Sequence, residues 1–311
     1  MYSDSFAAGE LTTAIDMEPV VAAAKRSRFS ASGIFSALIS VVVLIVIGRQ
    51  SDGFDLAHIR GMIPSSPAFW AVYSVYFLAV PLSEWIIYRR LWNIPLAGIG
   101  ALLRKLVSNE LLLGYLGDAQ FYAWARSRIN MVTAPFGAVK DTAILSALTG
   151  NIITLMMVIA AWPLLVSGAA GIEMRSTFMG LGVVLVTSFA IMLLRQRLFS
   201  LPRKDLHFIA SVHTVRTLGK LALGAVLWHM VLPQVALSLW LLLSTLRMLV
   251  SRLPLVPNKD VVFAGLAVFL LGHEVEIADL MAMMAGLVLF SNLVAGAAFS
   301  TADLAEAWRR R

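Results

Sequence analysis

Charged residues crowd into one stretch of an otherwise apolar chain, from Leu103 to Arg128. Gly and Asn residues lie among them, so the stretch does not read as one uninterrupted apolar helix. An ionisable side chain at the centre of a membrane helix costs at least ~2.5–3.5 kcal/mol, so such residues usually pair with one another or serve a function. We therefore predict a site for an anionic lipid headgroup in this stretch, with Arg104, Glu110, Asp118, Arg126 and Arg128 as its candidate residues.

Two roles remain open for these charges. In the first, Arg104, Arg126 or Arg128 contacts a lipid phosphate, while Glu110 and Asp118 hold these cations in place. Arginine suits phosphate because its planar guanidinium donates two hydrogen bonds to one anion, and a helix break near the Gly residues would add free N–H donors. In the second, the charges pair only with one another and close a helical hairpin.

A second set of polar residues lies further along the chain. Lys140 and Asp141 are adjacent, so they point in different directions on a helix and need separate partners; Arg216 or Lys220 is a candidate partner for Asp141. His213, Arg216 and Lys220 are spaced i, i+3 and i+7, which places them in one stripe. That stripe either lines a cavity or seals a helix interface, and it extends the predicted headgroup site.

Other chemistry is not indicated. The chain has no cysteine, so disulfides and thiolate metal sites are excluded. His207 and His213 do not share a helix face, and the acidic run from His273 to Asp279 is typical of a solvated turn. No hydrolase, P-loop, zinc-protease or dinucleotide motif occurs. We predict no catalytic residue, no metal and no cofactor.

Composition places the chain in a membrane. Hydrophobic residues make up 59% and charged residues 14% of the 311 positions, against about 25% charged in soluble domains. Apolar runs of about 18–25 residues can cross a hydrocarbon core of about 30 Å. The net charge of +7 is then explained by basic cytoplasmic loops rather than by nucleic acid.

These runs predict an all-α polytopic fold of about eight transmembrane helices. Their approximate positions are 29–48, 68–88, 138–163, 176–194, 205–229, 234–250, 261–273 and 280–299, the seventh being short for a full crossing.

The remaining apolar segment, 94–122, is predicted to be a re-entrant helical hairpin. A single crossing there would put the basic Arg126 and Arg128 outside, whereas a hairpin keeps both flanks on the cytoplasmic side. A second interrupted segment, near 251–275, leaves open a degenerate inverted repeat, the pattern that marks the site in many transporters.

The distribution of Lys and Arg sets the orientation. Basic residues precede the first run and follow the second, fourth and eighth, so both termini are predicted to be cytoplasmic. The predicted organisation is an N-terminal cytoplasmic tail (1–28), one transmembrane domain (29–300) and a basic cytoplasmic tail (301–311). We expect a multi-pass protein of a bacterial inner membrane.

The sequence GYLGDAQFYAWARSR, from Gly114 to Arg128, resembles a motif of a known family. It is similar to the Gly-acidic stretch, followed by a basic helix, in the transmembrane region of lysylphosphatidylglycerol synthases and related flippase-like proteins. Gly117 and Asp118 match the Gly-Glu pair, and Arg126 or Arg128 matches the basic position. Val139 to Asp141 falls where that family has its next charge-bearing helix.

A second signature is matched in part. Pro254 and Pro257 match its two prolines, whereas Asn258 and Lys259 stand where the family has Gly-Gly, and no matching Glu is present. The resemblance implies an eight-helix membrane fold with re-entrant elements that moves or presents a lipid between leaflets. Lipid aminoacylation is not implied, because the soluble domain that performs it is missing here.

The leading hypothesis is thus a flippase-like protein, not an enzyme, that translocates or presents an anionic-headgroup lipid such as a phospholipid. One alternative is a non-catalytic subunit that anchors or regulates an envelope or glycan-export complex, with a protein partner or a second copy of itself. Another is a lipid-modifying enzyme that uses Glu110 or Asp118 as a base. No nucleic-acid partner is expected.

Overall fold

The protein is described by a computed structural model. The described residues are 61–111, 116–128, 135–166, 199–251 and 275–309, with isolated positions between them (182, 186, 259, 260, 262–264 and 267). All regular elements in these ranges are α-helices. They are α1 (Pro67–Trp92), α2 (Gly98–Leu111), α3 (Leu116–Arg128), α4 (Pro135–Val166), α5 (Arg203–Val231), α6 (Leu237–Ser251) and α7 (Val275–Arg309).

Three described helices are long and apolar enough to cross a membrane: α1, the 137–163 part of α4 and the 279–299 part of α7. They coincide with three predicted spans and indicate a membrane protein. Their outward faces carry exposed apolar side chains such as Val75, Met156 and Phe290, which suits contact with hydrocarbon. The predicted count of eight is not confirmed, and the predicted spans 29–48 and 176–194 lie outside the described residues apart from positions 182 and 186.

Two further predicted spans are helices that are too polar or too short to be counted with these three. The α5 helix has 29 residues and includes the charged stripe. The α6 helix is apolar but has only 15 residues, about 22 Å at about 1.5 Å per residue. The predicted run 261–273 lies mostly outside the described residues.

The ends of α1 follow from its sequence. Pro67 occupies the first turn, where its missing N–H costs nothing. At the other end Asn93 adopts a left-handed conformation with φ of 51° and donates its N–H to the Arg89 carbonyl oxygen. Pro81 lies inside the helix, so one internal hydrogen bond is lacking there.

The α5 helix occupies the centre of the described fold, packed against α1, α4 and α6. The largest buried cluster joins α1, α5, α6 and α7 through large side chains such as Phe69, Trp228, Trp240 and Leu280. A second cluster, around Tyr88, Leu102 and Phe121, joins α1 to α2 and α3.

The predicted hairpin is present as two packed helices, α2 and α3. Residues 112–115, which connect them, lie outside the described residues. Gly117 allows the close approach, because a Cβ atom there would lie 2.2 Å from the carbonyl oxygen of Lys105.

We predict that Gly117→Ala destabilises the protein, because neither helix backbone can yield to the added methyl group. Overpacking of this kind costs about 1–3 kcal/mol, so the apparent melting temperature in detergent should fall. Gly100→Ala in α2 is the matched control, since nothing lies within 4 Å of its added Cβ, and it should melt at or slightly above the temperature of the wild type because Ala favours a helix over Gly. Equal melting of Gly117→Ala and Gly100→Ala would contradict the tight helix contact.

Candidate functional site

One cation and two carboxylates form a buried cluster that joins α1, α2 and α3. The Lys105 ammonium lies 3.0 Å from a carboxylate oxygen of Glu84 and 2.8 Å from one of Asp118. The side chains of Lys105 and Glu84 are 7% and 9% exposed and that of Asp118 is 17% exposed. We call Glu84, Lys105 and Asp118 the hairpin cluster. One ammonium between two carboxylates leaves it with a net negative charge, so it does not attract an anion.

Asn109 completes this arrangement at the tip of the hairpin. Its side-chain amide donates to the second carboxylate oxygen of Asp118 (3.2 Å), and its carbonyl oxygen accepts the N–H of Gly117 (2.8 Å). Asp118 also lies in the first turn of α3, where a negative charge is favoured by the helix dipole. In this structure Gly117 and Asp118, the pair that carries the family resemblance, hold the hairpin closed.

Two of the three arginines predicted to pair with Asp118 are described, and neither is its partner in the structure. The Arg104 guanidinium lies 4.9 Å from the centre of the Phe299 ring on α7, and Arg126 is exposed. The side chain of Arg128 lies outside the described residues. The cation on Asp118 is therefore Lys105, a residue that the sequence analysis did not include in the site.

Lys140 and Asp141 connect α4 to the segment before α5. Asp141 is fully buried, and one of its carboxylate oxygens accepts the backbone N–H groups of Ser200 (2.6 Å) and Leu201 (2.8 Å). Lys140 donates to the Ser200 hydroxyl at 3.2 Å. Neither candidate partner of Asp141, Arg216 or Lys220, is its partner in the structure: two backbone amides bind one of its oxygens, and the Lys140 ammonium lies 3.8 Å from the other.

The stripe on α5 divides between two surroundings. His213 is fully buried, with its Nε2 atom 3.2 Å from the Thr142 carbonyl oxygen, and Arg216 donates to the Ser146 hydroxyl at 2.9 Å. These two residues seal the interface with α4. Lys220 faces α1 instead, with its ammonium 4.6 Å from the centre of the Tyr76 ring.

Tyr76 also belongs to a second cluster of charged side chains. The Arg247 guanidinium on α6 donates to the Tyr76 hydroxyl and contacts the Asp260 carboxylate, with Nη2 and Nε at 2.7 and 2.9 Å from one oxygen. We call Tyr76, Lys220, Arg247 and Asp260 the Arg247 cluster. Three helices and the isolated position 260 meet there.

Glu110 of α2 lies within electrostatic range of this cluster. Burial raises the pKa of Glu110 and the negative charge of Asp260 adds to the effect, against the opposing influence of Lys220, Lys259 and Arg247. Burial alone would also raise the pKa of Asp260, but the positive charges of Arg247 and Lys220 outweigh burial and lower it. Within the Arg247 cluster itself, the cations Lys220 and Arg247 both lie against the Tyr76 ring, and Asp260 is the carboxylate in contact with Arg247.

A small cleft opens beside the Arg247 cluster. It has a polar end and an apolar wall, and its lining residues are Tyr76, Gly224, Trp228, Arg247, Asp260, Phe263, Met281, Met284, Ala285 and Val288. Its volume is about 20 Å³, enough for about one water molecule. A polar end with a cation and an apolar wall together suit an amphiphile with an anionic head, but only after the cleft widens.

Five residues of these clusters were missed by the sequence analysis: Tyr76, Glu84, Lys105, Arg247 and Asp260. A signal for two of them was present, because Glu84 and Arg247 both lie within predicted spans, where a charge is rarely idle. Asp260 lies at the edge of a predicted span, and only its contact with Arg247 distinguishes it.

Within the described part of the chain, no group of three His, Asp or Glu residues is placed to hold a metal ion. Comparison with protein-family models, with curated proteins and with solved structures found no match for this chain. The helices of the described ranges, three of them long and apolar enough to cross a membrane, indicate an α-helical membrane protein.

We predict that Lys105→Met destabilises the protein strongly, because it leaves the carboxylates of Glu84 and Asp118 buried without their cation. Removing one partner of a buried ion pair costs about 3–5 kcal/mol. The triple variant Glu84→Gln, Lys105→Met, Asp118→Asn should recover much of this loss, since no charge is then left unpaired. The readout is thermal unfolding of the purified protein in detergent.

Arg126→Met is the control for this prediction, because it removes a positive charge from an exposed position of the same hairpin. Surface substitutions of this kind usually change stability by no more than about 0.5 kcal/mol. If Lys105→Met and Arg126→Met melt at the same temperature, the hairpin cluster does not stabilise the fold.

Proposed function

We propose that this chain is a flippase-like protein of a bacterial inner membrane that translocates or presents a lipid with an anionic headgroup, without covalent chemistry. The observation that carries the proposal is the placement of two cations, Lys220 and Arg247, against Tyr76 beside an apolar cleft, with the single carboxylate of Asp260 in contact with Arg247. Buried cations without full compensation favour an anionic ligand, because they lower the cost of taking its charge out of water.

Lys220 and Arg247 are the headgroup-binding residues in this proposal. Arg247 presents a guanidinium, which matches the oxygens of a phosphate better than a point charge does. Lys220 adds a second cation, 4.6 Å from the centre of the Tyr76 ring that Arg247 also approaches, at 5.6 Å. Of the residues predicted from sequence, Glu110 and Lys220 belong to this region and Arg216 lies one turn away on α5, whereas Asp118, Lys140 and Asp141 have structural contacts.

The apolar wall of the cleft would receive the acyl chains. Met281 and Met284 form part of it, and unbranched Met side chains adapt easily to irregular apolar ligands. Since the cleft has room for about one water molecule, lipid entry requires α7 to separate from α5 or α6. Exposing the cleft first to one leaflet and then to the other would move the lipid.

The proposed topology follows the sequence analysis. Eight spans with both termini in the cytoplasm place the α2–α3 hairpin as a re-entrant element that enters and leaves on the cytoplasmic side. The paired charges of the hairpin cluster support this placement, because ionisable groups at membrane depth require partners. The resemblance to the transmembrane region of lysylphosphatidylglycerol synthases points to the same layout.

The first test measures lipid selectivity. The protein is placed in nanodiscs containing equal amounts of phosphatidylglycerol and phosphatidylcholine, and native mass spectrometry counts the lipids that it retains. Wild type should retain phosphatidylglycerol preferentially. Lys220→Met should reduce that preference roughly tenfold, the lower limit for a charge-assisted contact of about 1.5–3 kcal/mol.

Arg126→Met is the matched control, because it removes one positive charge from an exposed position and should leave the preference intact. Equal retention of both lipids by the wild type, or the same small effect for Lys220→Met and Arg126→Met, would reject the proposal.

A second test separates movement of lipid from its presentation. Proteoliposomes carrying fluorescent phosphatidylglycerol in both leaflets are treated with dithionite, which bleaches only the outer leaflet. A translocating protein should make the inner-leaflet label accessible, and Lys220→Met should slow this step. If the inner label stays protected while selective retention persists, the protein presents the lipid and does not move it.

A further inference from the structure

The Arg247 guanidinium is already occupied by an anion of the protein itself. Asp260 holds one carboxylate oxygen against both Nη2 and Nε, at 2.7 and 2.9 Å. This is the edge of the guanidinium that a phosphate oxygen would use. Arg247 and Asp260 are 21% and 25% exposed and both line the cleft, so a ligand in the cleft reaches the same position.

The contact is unlike the buried contacts elsewhere in the described chain. In the hairpin cluster the Lys105 side chain is 7% exposed and lies between two carboxylates, and Asp141 is fully buried against backbone amides. In both places the loss of one partner would leave a buried charge unpaired. Asp260 uses one oxygen for both contacts with Arg247, is 25% exposed and lines the cleft, so it can leave when another anion replaces it.

We propose, on the basis of the function proposed above, that Asp260 is an internal occupant of the anion position formed by Arg247, Tyr76 and Lys220, and that a phosphate-bearing headgroup binds by displacing it. Asp260 thus pairs with one of the two cations until an anion arrives, and the apolar cleft stays closed until then. The substrate class is an amphiphile with a phosphate group, because that group offers the oxygen atoms to replace a carboxylate on a guanidinium.

If the ligand displaces Asp260, the effect of Asp260→Asn on lipid affinity is opposite to the effect expected if Asp260 only supports Arg247. If Asp260 competes with the ligand, Asp260→Asn should bind phosphate lipid more tightly, because it removes the competitor and one negative charge. The expected gain is roughly tenfold in affinity, the value of one lost charge-assisted contact. If Asp260 instead orients Arg247 for the ligand, Asp260→Asn should bind more weakly.

The experiment measures binding of fluorescent phosphatidic acid to the full-length protein in phosphatidylcholine nanodiscs. Asp205→Asn is the matched control: its carboxylate pairs with Arg90 at 3.4 Å, outside the cleft, and its loss should leave the affinity unchanged. The double variant Arg247→Met, Asp260→Asn should lose the gain. Unchanged or weaker binding by Asp260→Asn overturns the inference.

A second readout keeps the inference testable if Asp260→Asn does not fold. The chain has no cysteine, so Lys259→Cys introduces a single thiol next to Asp260. Saturation with phosphatidic acid should accelerate maleimide labelling of this thiol several-fold, because the departure of Asp260 from Arg247 exposes the adjacent position, whereas phosphatidylcholine alone should not. An unchanged labelling rate contradicts displacement.

The outcomes distinguish the inference from the proposed function. If the wild type prefers phosphatidic acid to phosphatidylcholine but neither Asp260→Asn nor the labelling behaves as expected, the function stands and the displacement does not. If the wild type shows no preference for an anionic lipid, the proposed function fails and the displacement fails with it.

Discussion

A charge in an apolar protein must have a partner, and the contact of Lys105 with Glu84 and Asp118 shows how strictly the fold obeys this constraint. Lys105 of α2 reaches a carboxylate on the helix before it and another on the helix after it. Three helices are therefore held in one relative position by a single ammonium group. The aromatic packing of Tyr88 against Phe121 and the close approach at Gly117 both depend on that position.

The α5 helix extends this constraint across the described fold. His213 and Arg216 bind α4, and Lys220 reaches Tyr76 of α1. The sequence left two roles open for this stripe, sealing a helix interface or lining a cavity. His213 and Arg216 seal an interface, and Lys220 lies in a polar region beside a cleft. The structural and the proposed functional roles therefore fall on different residues of α5. His213 and Arg216 hold α5 against α4, whereas Lys220 contributes positive charge for the proposed ligand.

Much of the fold was predictable because apolar runs and helix length are linked by the thickness of a membrane. The predicted runs 68–88 and 138–163 correspond to Pro67–Trp92 and Pro135–Val166. The hairpin was predictable from the distribution of basic residues alone. Helix ends differ by a few residues, because terminal turns are set by local features such as Pro67 and Asn93 rather than by hydropathy.

The pairing of charges was not predictable in the same way. A partner is chosen by tertiary packing, and Arg247 meets a tyrosine 171 positions away in the chain. Adjacent residues can also have unrelated roles, as Arg104 and Lys105 do. Periodicity therefore identified the stripe on α5, but it could not show that Asp141 prefers backbone amides or that Asp118 pairs with a lysine.

Pro81 has a consequence for how these charged groups are coupled. It lies in α1 between Tyr76, which belongs to the Arg247 cluster, and Glu84, which belongs to the hairpin cluster. Because proline supplies no N–H, the backbone of α1 is least stiff at this point. One helix thus carries a member of each cluster on either side of this proline, and bending there would change the spacing of the two clusters.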